Sequence, residues 1–368
     1  MIKNKQNPKI SAAFVFWFIQ NANIPTNPLR HVVWKIFWLL NHQPICMNFM
    51  KQRLQKHHTK AVMSVAFHQS FPLLATGSAD NSTIIYDIST SPPTIKHHLK
   101  GDHTGWVNSV AFHPSFPLLV TGSADKSIIL YDISTSPPTI KYRLKHHTNF
   151  VRSVAFHLSL PLLATSSCDC STILYNISNI SISPPTVKYH LKNNHIDSVF
   201  SVVFHPSLPL LVTSSYDKSA IFYDISTLPP TVKHHLKHDH TNCINSVAFH
   251  PSLPLFATCS FDGSTILYDI SNISTSPPTI KHHLKHHTGF VRSIAFHPSF
   301  PLFATCSDDK STILYDISNI SISPPIVKHH LKHHTSNVLF VALHTSLPLF
   351  ATSSWDKSII LYNLDNMW

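Results

Sequence analysis

Sets of histidine, threonine and aspartate recur along the chain at a fixed spacing. In the first set Asp80 follows His58 by 22 residues and Thr76 by 4. A hydroxyl, an imidazole and a carboxylate are the parts of a catalytic triad, in which the base activates the nucleophile and the acid orients the base. This set, however, occurs seven times in one register, whereas a catalytic site occurs once. We therefore interpret these residues as buried polar groups that satisfy one another, and we expect no enzymatic activity.

Histidine-rich strings are the second candidate for chemistry, because imidazoles bind zinc, copper and nickel. Residues 281–287 and 328–334 both read Lys-His-His-Leu-Lys-His-His. Adjacent side chains of a strand point to opposite faces, which disfavours one compact site. Cys168 and Cys170 flank a turn aspartate without a second ligand pair at zinc spacing. The sequence thus predicts no metal, no cofactor, and the reduced cysteines of an intracellular protein.

The segments that carry these side chains have the composition of short strands. Ser-Val-Ala-Phe-His and Leu-Leu-Val-Thr-Gly-Ser are β-prone, Ala-Asp-Lys-Ser is a tight turn, and Ile-Ile-Leu-Tyr-Asp-Ile is a third strand. A Ser-Pro-Pro or Leu-Pro-Pro break leads to a polar fourth strand such as Thr-Ile-Lys-His-His-Leu-Lys. Proline suits such breaks because it cannot donate to a strand ladder. Four short strands in each period of about 45 residues predict a blade of a β-propeller.

A tyrosine follows each aspartate by six residues, so every copy contains four marked positions. Across the seven copies they are His58, Thr76, Asp80, Tyr86; His103, Thr121, Asp125, Tyr131; His147, Thr165, Asp169, Tyr175; His195, Thr213, Asp217, Tyr223; His240, Thr258, Asp262, Tyr268; His287, Thr305, Asp309, Tyr315; and His334, Thr352, Asp356, Tyr362. This pattern resembles the WD-repeat β-propeller family, in which His, Ser or Thr, Asp and Trp form a hydrogen-bonded tetrad within each blade.

The resemblance covers residues 46–368 and implies an all-β, seven-bladed β-propeller of four-stranded antiparallel blades. The family's Gly-His is mostly His-His here, and its Trp-Asp is Tyr-Asp or Tyr-Asn. The chain ends just after the third strand of the seventh copy, while residues 48–55 align with the fourth strands elsewhere. We expect this N-terminal strand to complete the last blade, because closure leaves no open ring edge.

Residues 1–45 fall outside the repeat and are apolar and basic. Their two apolar runs are each too short to span a bilayer, so the sequence predicts no spanning segment. Three interpretations of this extension remain open: a secretory signal, an element that binds a membrane surface or a partner, and a poorly ordered tail.

The copies differ most at three positions that, in the resembled family, commonly face the narrow end of the ring and contact partners. These positions lie three and five residues after the tetrad histidine and one residue before the tetrad aspartate. Aromatic residues and arginine, the composition of interaction hot spots, cluster there. An alternative is that some of these rings pack as core between blades. The predicted partner-binding residues are Trp106, Phe150, Arg152, Phe200, Tyr216, Phe261, Phe290, Arg292 and Trp355.

Two functional hypotheses follow. The first is a non-enzymatic scaffold, a monomeric ring within a larger complex, that binds a protein or peptide on its top face in the cytoplasm or nucleus. The second hypothesis is based on the net charge, which is +11 because the chain has 28 Lys and Arg but only 17 acidic residues. A basic outer rim would attract nucleic acid or another polyanion, although no recognition helix accompanies it. The rim lysines are Lys96, Lys100, Lys141, Lys145, Lys188, Lys192, Lys233, Lys237, Lys281 and Lys285.

Overall fold

Seven four-stranded antiparallel sheets follow one another along the chain and form the blades of a ring. The structure, a computed structural model, describes residues 51–367. The predicted all-β, seven-bladed propeller of four-stranded antiparallel blades is confirmed. The predicted extension over residues 1–45 and the boundary at residue 46 lie outside the described residues.

The strands are numbered in chain order, and β1 spans Lys51–Leu54. Blades 1 to 3 contain β2 Val62–Phe67, β3 Leu73–Ser78, β4 Thr83–Asp87, β5 Thr94–Leu99; β6 Val107–Phe112, β7 Leu118–Ser123, β8 Ile128–Asp132, β9 Thr139–Leu144; and β10 Val151–Phe156, β11 Leu162–Ser167, β12 Thr172–Asn176, β13 Thr186–Leu191. Blades 4 and 5 contain β14 Val199–Phe204, β15 Leu210–Ser215, β16 Ala220–Asp224, β17 Thr231–Leu236; and β18 Ile244–Phe249, β19 Leu255–Ser260, β20 Thr265–Asp269, β21 Thr279–Leu284. Blade 6 contains β22 Val291–Phe296, β23 Leu302–Ser307, β24 Thr312–Asp316, β25 Ile326–Leu331, and blade 7 contains β26 Val338–Leu343, β27 Leu349–Ser354, β28 Ile359–Asn363. A 3-10 helix, Leu364–Asn366, follows.

Burial decreases from the middle of each blade towards its outer edge. In all seven blades every residue of the second strand is buried, whereas the outer strands β5, β9 and β13 begin with exposed residues. The apolar clusters lie between neighbouring blades: Leu73 and Ile85 of blade 1 pack with Val110, Ile129 and Tyr131 of blade 2. Each blade therefore depends on its neighbour for a hydrophobic core.

The ring closes through contacts between the first and last copies. The inner strand β2 contacts β6 on one side and β26 on the other. β1 pairs antiparallel with β28, so the fourth strand of blade 7 comes from the N-terminal side of the array, as predicted. The inner strand of blade 7 thereby contacts both neighbouring blades, and β28 pairs with a strand on each side.

Arg53 connects this closing strand to the polar network of blade 7. Its guanidinium forms an ion pair with Asp356 at 3.4 Å, and its Nη1 donates to Ser358 Oγ at 3.2 Å. A further bond reaches the carbonyl oxygen of His333. Arg143 occupies the matching register position of blade 2, opposite Ile129, but its exposed side chain forms no ion pair or hydrogen bond with a described residue.

We expect Arg53→Ala to lower the free energy of unfolding by about 1–3 kcal/mol, because it removes three polar contacts that fasten the closing strand. Arg143→Ala removes the same side chain from the equivalent position and should change stability by less than about 0.5 kcal/mol. Urea denaturation of the full chain measures both. Equal losses in the two variants would contradict a closing role for Arg53.

Candidate functional site

In every blade a buried histidine lies between a threonine and an aspartate. His58 Nε2 lies 2.9 Å from Thr76 Oγ1, and His58 Nδ1 lies 3.0 Å from Asp80 Oδ2. In the other six blades both distances fall between 2.7 and 2.9 Å. All seven threonines have no exposed surface, so a substrate would not reach their hydroxyls. The set joins the loop before the inner strand to the second strand and the turn that follows it.

A serine two residues after the aspartate completes this network and is missing from the predicted site residues. Ser82 Oγ donates to Asp80 Oδ1 at 2.6 Å and lies 3.2 Å from His58 Nδ1. Burial opposes ionisation of Asp80, but hydrogen bonds from His58, Ser82 and the Thr59 N–H outweigh it and hold the pKa of this carboxyl well below its usual range. Recurrence in all seven copies is the sequence signal for this position. The equivalents are Ser127, Ser171, Ser219, Ser264, Ser311 and Ser358.

In six of the seven copies the buried tyrosine forms a hydrogen bond with the residue that precedes the tetrad histidine. Tyr86 Oη lies 3.2 Å from His57 Nδ1, and Tyr131 Oη donates to Asp102 Oδ2 at 3.2 Å. The two departures from the WD-repeat pattern therefore complement each other: tyrosine in place of tryptophan introduces a hydroxyl, and the residue in place of glycine supplies its partner. The same contact is made by Tyr175, Tyr268, Tyr315 and Tyr362.

A second histidine, directly after each inner strand, is also absent from the predicted site residues. Its Nδ1 accepts hydrogen bonds from the backbone N–H groups two and three residues later, at 2.9–3.1 Å. Many of these imidazoles contact a phenylalanine of the adjacent blade, as His68 contacts Phe112 at 5.0 Å between centroids. We call this set the lower histidine ring: His68, His113, His157, His205, His250, His297 and His344.

The first and third variable positions adjoin each other in every blade. The backbone N–H at the third position donates to the carbonyl oxygen at the first, from Ala124 to Trp106 at 2.8 Å and from Asp308 to Phe290 at 2.9 Å. One position enters an inner strand and the other leaves a second strand, and both ends lie on the same side of an antiparallel blade. This side of the ring is the top face, and it carries the predicted partner-binding residues.

Six of the nine predicted partner-binding residues lie in mutual contact. Phe200 contacts Tyr216 edge-on, with 5.8 Å between centroids, and lies 6.1 Å from Phe261. Phe261 stacks on Phe290 at 4.8 Å with the ring planes 9° apart. Each of these aromatic pairs except Phe200–Tyr216 joins neighbouring blades. We call the set the aromatic–arginine cluster: Arg152, Phe200, Tyr216, Phe261, Phe290 and Arg292.

The two arginines of this cluster have different partners. Arg292 lies 4.4 Å from the centroid of Phe261, and its Nε and Nη2 donate to the Asp308 carboxylate at 2.7 and 2.5 Å. Arg152 lies 4.8 Å from the centroid of Phe200. No described residue accepts a hydrogen bond from its guanidinium. One arginine is therefore fixed by a bidentate ion pair, while the other is held by an aromatic ring alone.

The remaining predicted residues lie apart from the cluster. Trp106 and Trp355, 44% and 49% exposed, border a cavity of about 230 Å³. The small side chains of blade 1 leave this space open between blades 2 and 7. Phe150 is 46% exposed and makes no ring contact with a described residue. We call the cavity the tryptophan notch; its other lining residues are Lys60, Ala61, Ala79 and Lys357.

A channel runs along the inner strands. Its cavity has a volume of about 730 Å³ and a mainly apolar wall. The second variable position of every blade lines it, which brings Arg152 and Arg292 to the channel as well as to the top face. The seven residues at this position are Met63, Asn108, Arg152, Phe200, Asn245, Arg292 and Leu339.

The rim lysines divide into two groups. The first lysine of several outer strands pairs with the aspartate that ends the adjacent third strand, as Lys233 does with Asp224 at 3.5 Å and Lys281 with Asp269 at 3.6 Å. The lysine that follows the strand, such as Lys145, is exposed without an ion pair. Part of the rim charge is thus compensated locally.

Within residues 51–367 no group of three or more His, Cys, Asp or Glu side chains is placed to hold a metal ion. The cysteines there are free thiols, namely Cys168, Cys170, Cys243, Cys259 and Cys306. In the same part of the chain no helix has the length and hydropathy needed to cross a bilayer.

A ring of seven blades with a repeated polar network defines the class of protein as a repeat-built β-propeller. The family model for the WD domain, G-beta repeat, matches the chain seven times, over residues 50–87, 94–132, 138–176, 187–224, 231–269, 278–316 and 326–363. The chain therefore belongs to the WD-repeat family, whose members are generally non-enzymatic scaffolds for protein–protein interaction. A comparison with curated proteins gave no match.

The lower histidine ring predicts acid sensitivity. Burial lowers the pKa of His68, His113, His205, His250, His297 and His344 to about 4, and lowers that of His157. Between pH 6.5 and pH 4 the imidazoles are protonated in the unfolded chain but remain neutral in the folded ring. Their contribution to the free energy of unfolding is therefore complete above pH 6.5 and is lost as the pH falls towards 4. We expect each of the six histidines with a pKa of about 4 to lower the free energy of unfolding by about 2 kcal/mol at pH 5, relative to pH 7.5.

Urea denaturation between pH 7.5 and 5 measures this loss, with proton uptake on unfolding taken from its slope. The tetrad aspartates, whose pKa values are lowered, stabilise the fold fully above their unfolded pKa and lose this contribution only at lower pH, so they leave this window unaffected. His113→Asn keeps an acceptor for both backbone N–H groups and should reduce the uptake by about one proton. Stability that does not change between pH 7.5 and 5 would contradict this role.

Proposed function

We propose that this chain is a scaffold that binds a protein or peptide on the top face of its ring. The supporting observation is the aromatic–arginine cluster, a contiguous half-exposed surface at the positions where otherwise similar copies differ. Exposed apolar patches of this kind mark interaction sites, and buried aromatic anchors with arginine dominate their binding energy. We place the scaffold in the cytoplasm or nucleus, where thiols such as Cys168 stay reduced.

The tryptophan notch gives the proposed surface a second anchor point. Its volume accommodates one large apolar side chain between Trp106 and Trp355. The small floor residues Ala61 and Ala79 are buried, so the notch is a recess in the surface. A partner segment that fills the notch would bury both indole rings, which are among the most productive residues at interfaces.

The alternative, nucleic acid or polyanion binding at the rim, is weakened by the local pairing of its lysines. Lys141, Lys233, Lys281 and Lys328 each lie within 3.8 Å of a carboxylate oxygen. A phosphate backbone would compete with these aspartates for the same ammonium groups.

A quantitative pull-down from native extract, at low and high salt, tests the proposal with the full chain. We expect proteins retained at high salt to bind Trp106→Ala/Tyr216→Ala/Trp355→Ala about 30-fold more weakly, because truncation of a buried interface aromatic costs at least about 2 kcal/mol. These side chains are exposed in the free protein, so the variant should keep the wild-type Tm.

The matched control is Lys145→Ala/Lys237→Ala/Lys285→Ala, which changes three exposed residues of the rim. It should retain the same proteins as wild type. Ligands that are stripped by salt, are lost from the rim variant and bind the top-face variant normally would overturn the proposal in favour of the rim.

A further inference from the structure

The acidic side chains of the chain can all be located, because residues 1–50 contain no Asp or Glu and every acidic residue lies among the described ones. Seven of them are the tetrad aspartates. Five more occupy the last position of the third strand in their blades. Asp102 and Asp239 accept from tyrosine hydroxyls, Asp197 accepts from the Ser198 N–H, and Asp308 pairs with Arg292. Asp365 lies in the final 3-10 helix. None of these carboxylates lies within 4.0 Å of the Arg152 guanidinium.

Arg152 is therefore a cation at the mouth of the channel for which no described residue supplies an anion. Its guanidinium lies over Phe200, which leaves its N–H donors directed away from a protein acceptor. Burial, and further the nearby Arg292 guanidinium, lower the pKa of Arg152. Because an arginine remains charged even so, the free protein holds a partly desolvated, unpaired cation beside a like charge.

We infer that the partner is an acidic peptide segment, and that one of its carboxylate side chains enters the mouth of the channel and binds the Arg152 guanidinium. The planar fork of arginine matches the two oxygens of a carboxylate. Phe200 would keep the fork in orientation while the aromatic–arginine cluster buries the neighbouring apolar residues of the segment. This inference rests on the proposed top-face function and specifies the chemistry of the partner.

The charge around the channel mouth is complementary to such a segment. In four blades an exposed lysine lies in the turn between the tetrad aspartate and its serine, on the top face. A fifth, Lys60, borders the tryptophan notch. These cations form no ion pair with a described residue, and they would accelerate the approach of an acidic peptide. The four turn lysines are Lys126, Lys218, Lys310 and Lys357.

The test uses two soluble libraries of nonapeptides that differ only in the central residue, Glu in one and Gln in the other. We expect the full chain to retain the Glu library about tenfold or more over the Gln library, as a hydrogen-bonded charge pair allows. Arg152→Gln should remove this preference. Arg143→Gln removes the same charge from the exposed rim and should preserve it.

Thermal unfolding separates a binding role from a structural one. If Arg152 serves a partner, Arg152→Gln should keep or raise the Tm of the free chain, whereas retained Glu peptides should raise the Tm of wild type only. A lower Tm for Arg152→Gln together with unchanged library preference would overturn the inference.

Further outcomes distinguish the inference from the proposed function. Equal retention of both libraries, lost in Trp106→Ala/Trp355→Ala, would overturn the acidic partner and leave top-face binding intact. If Arg143→Gln lost the preference for the Glu library as fully as Arg152→Gln does, the inference would also be overturned. The preference would then depend on the net charge of the chain and not on Arg152. If neither library is retained and a single-stranded oligonucleotide binds instead, with binding lost in the rim variant, the proposed function fails as well.

Discussion

The ionised aspartate of each tetrad is the group on which the blade depends. A largely buried carboxylate is tolerated only when donors surround it, and Asp80 receives hydrogen bonds from an imidazole, a hydroxyl and two backbone N–H groups. These donors come from the loop before the inner strand and from the turn after the second strand. The carboxylate thus fixes two chain segments that no strand pairing joins, and it does so in every blade.

This constraint also shapes the top face. The first variable position follows the tetrad histidine by three residues, and the third immediately precedes the tetrad aspartate, so both are carried by the segments that the carboxylate holds. A backbone hydrogen bond joins them in all seven blades. Residues such as Trp106 and Phe290 therefore project from rigid supports, which limits the entropy lost when a partner binds. The repeated network maintains the ring, and the variable residues on it give each sector a different surface.

Repetition is the reason why the fold could be predicted from the sequence. The recurring His58, Thr76 and Asp80 spacing defines the blades, and residues 48–55 resemble an outer strand closely enough to predict closure. The variable positions could be identified in the same way, but their contacts could not, because Arg152 meets Phe200 and Phe261 meets Phe290 across blade boundaries. Ser82 and the lower histidine ring recur as regularly as the tetrad. The sequence does not identify them as members of the network, because recurrence alone does not distinguish a hydrogen-bonding side chain from an ordinary turn or strand-end residue.

The distribution of negative charge explains why one arginine of the cluster has an anionic partner and the other does not. With no glutamate, and with most of the aspartates engaged in the blade networks, Asp308 is the one carboxylate that the described chain directs to the aromatic–arginine cluster. Asp308 compensates the charge of Arg292 and fixes its guanidinium over Phe261, whereas the charge of Arg152, beside Phe200, is not compensated by a described residue. A neutral or cationic partner would bury that charge uncompensated, which is destabilising by several kcal/mol. An acidic partner would remove the same penalty, so one unpaired guanidinium favours the acidic partner and disfavours the others.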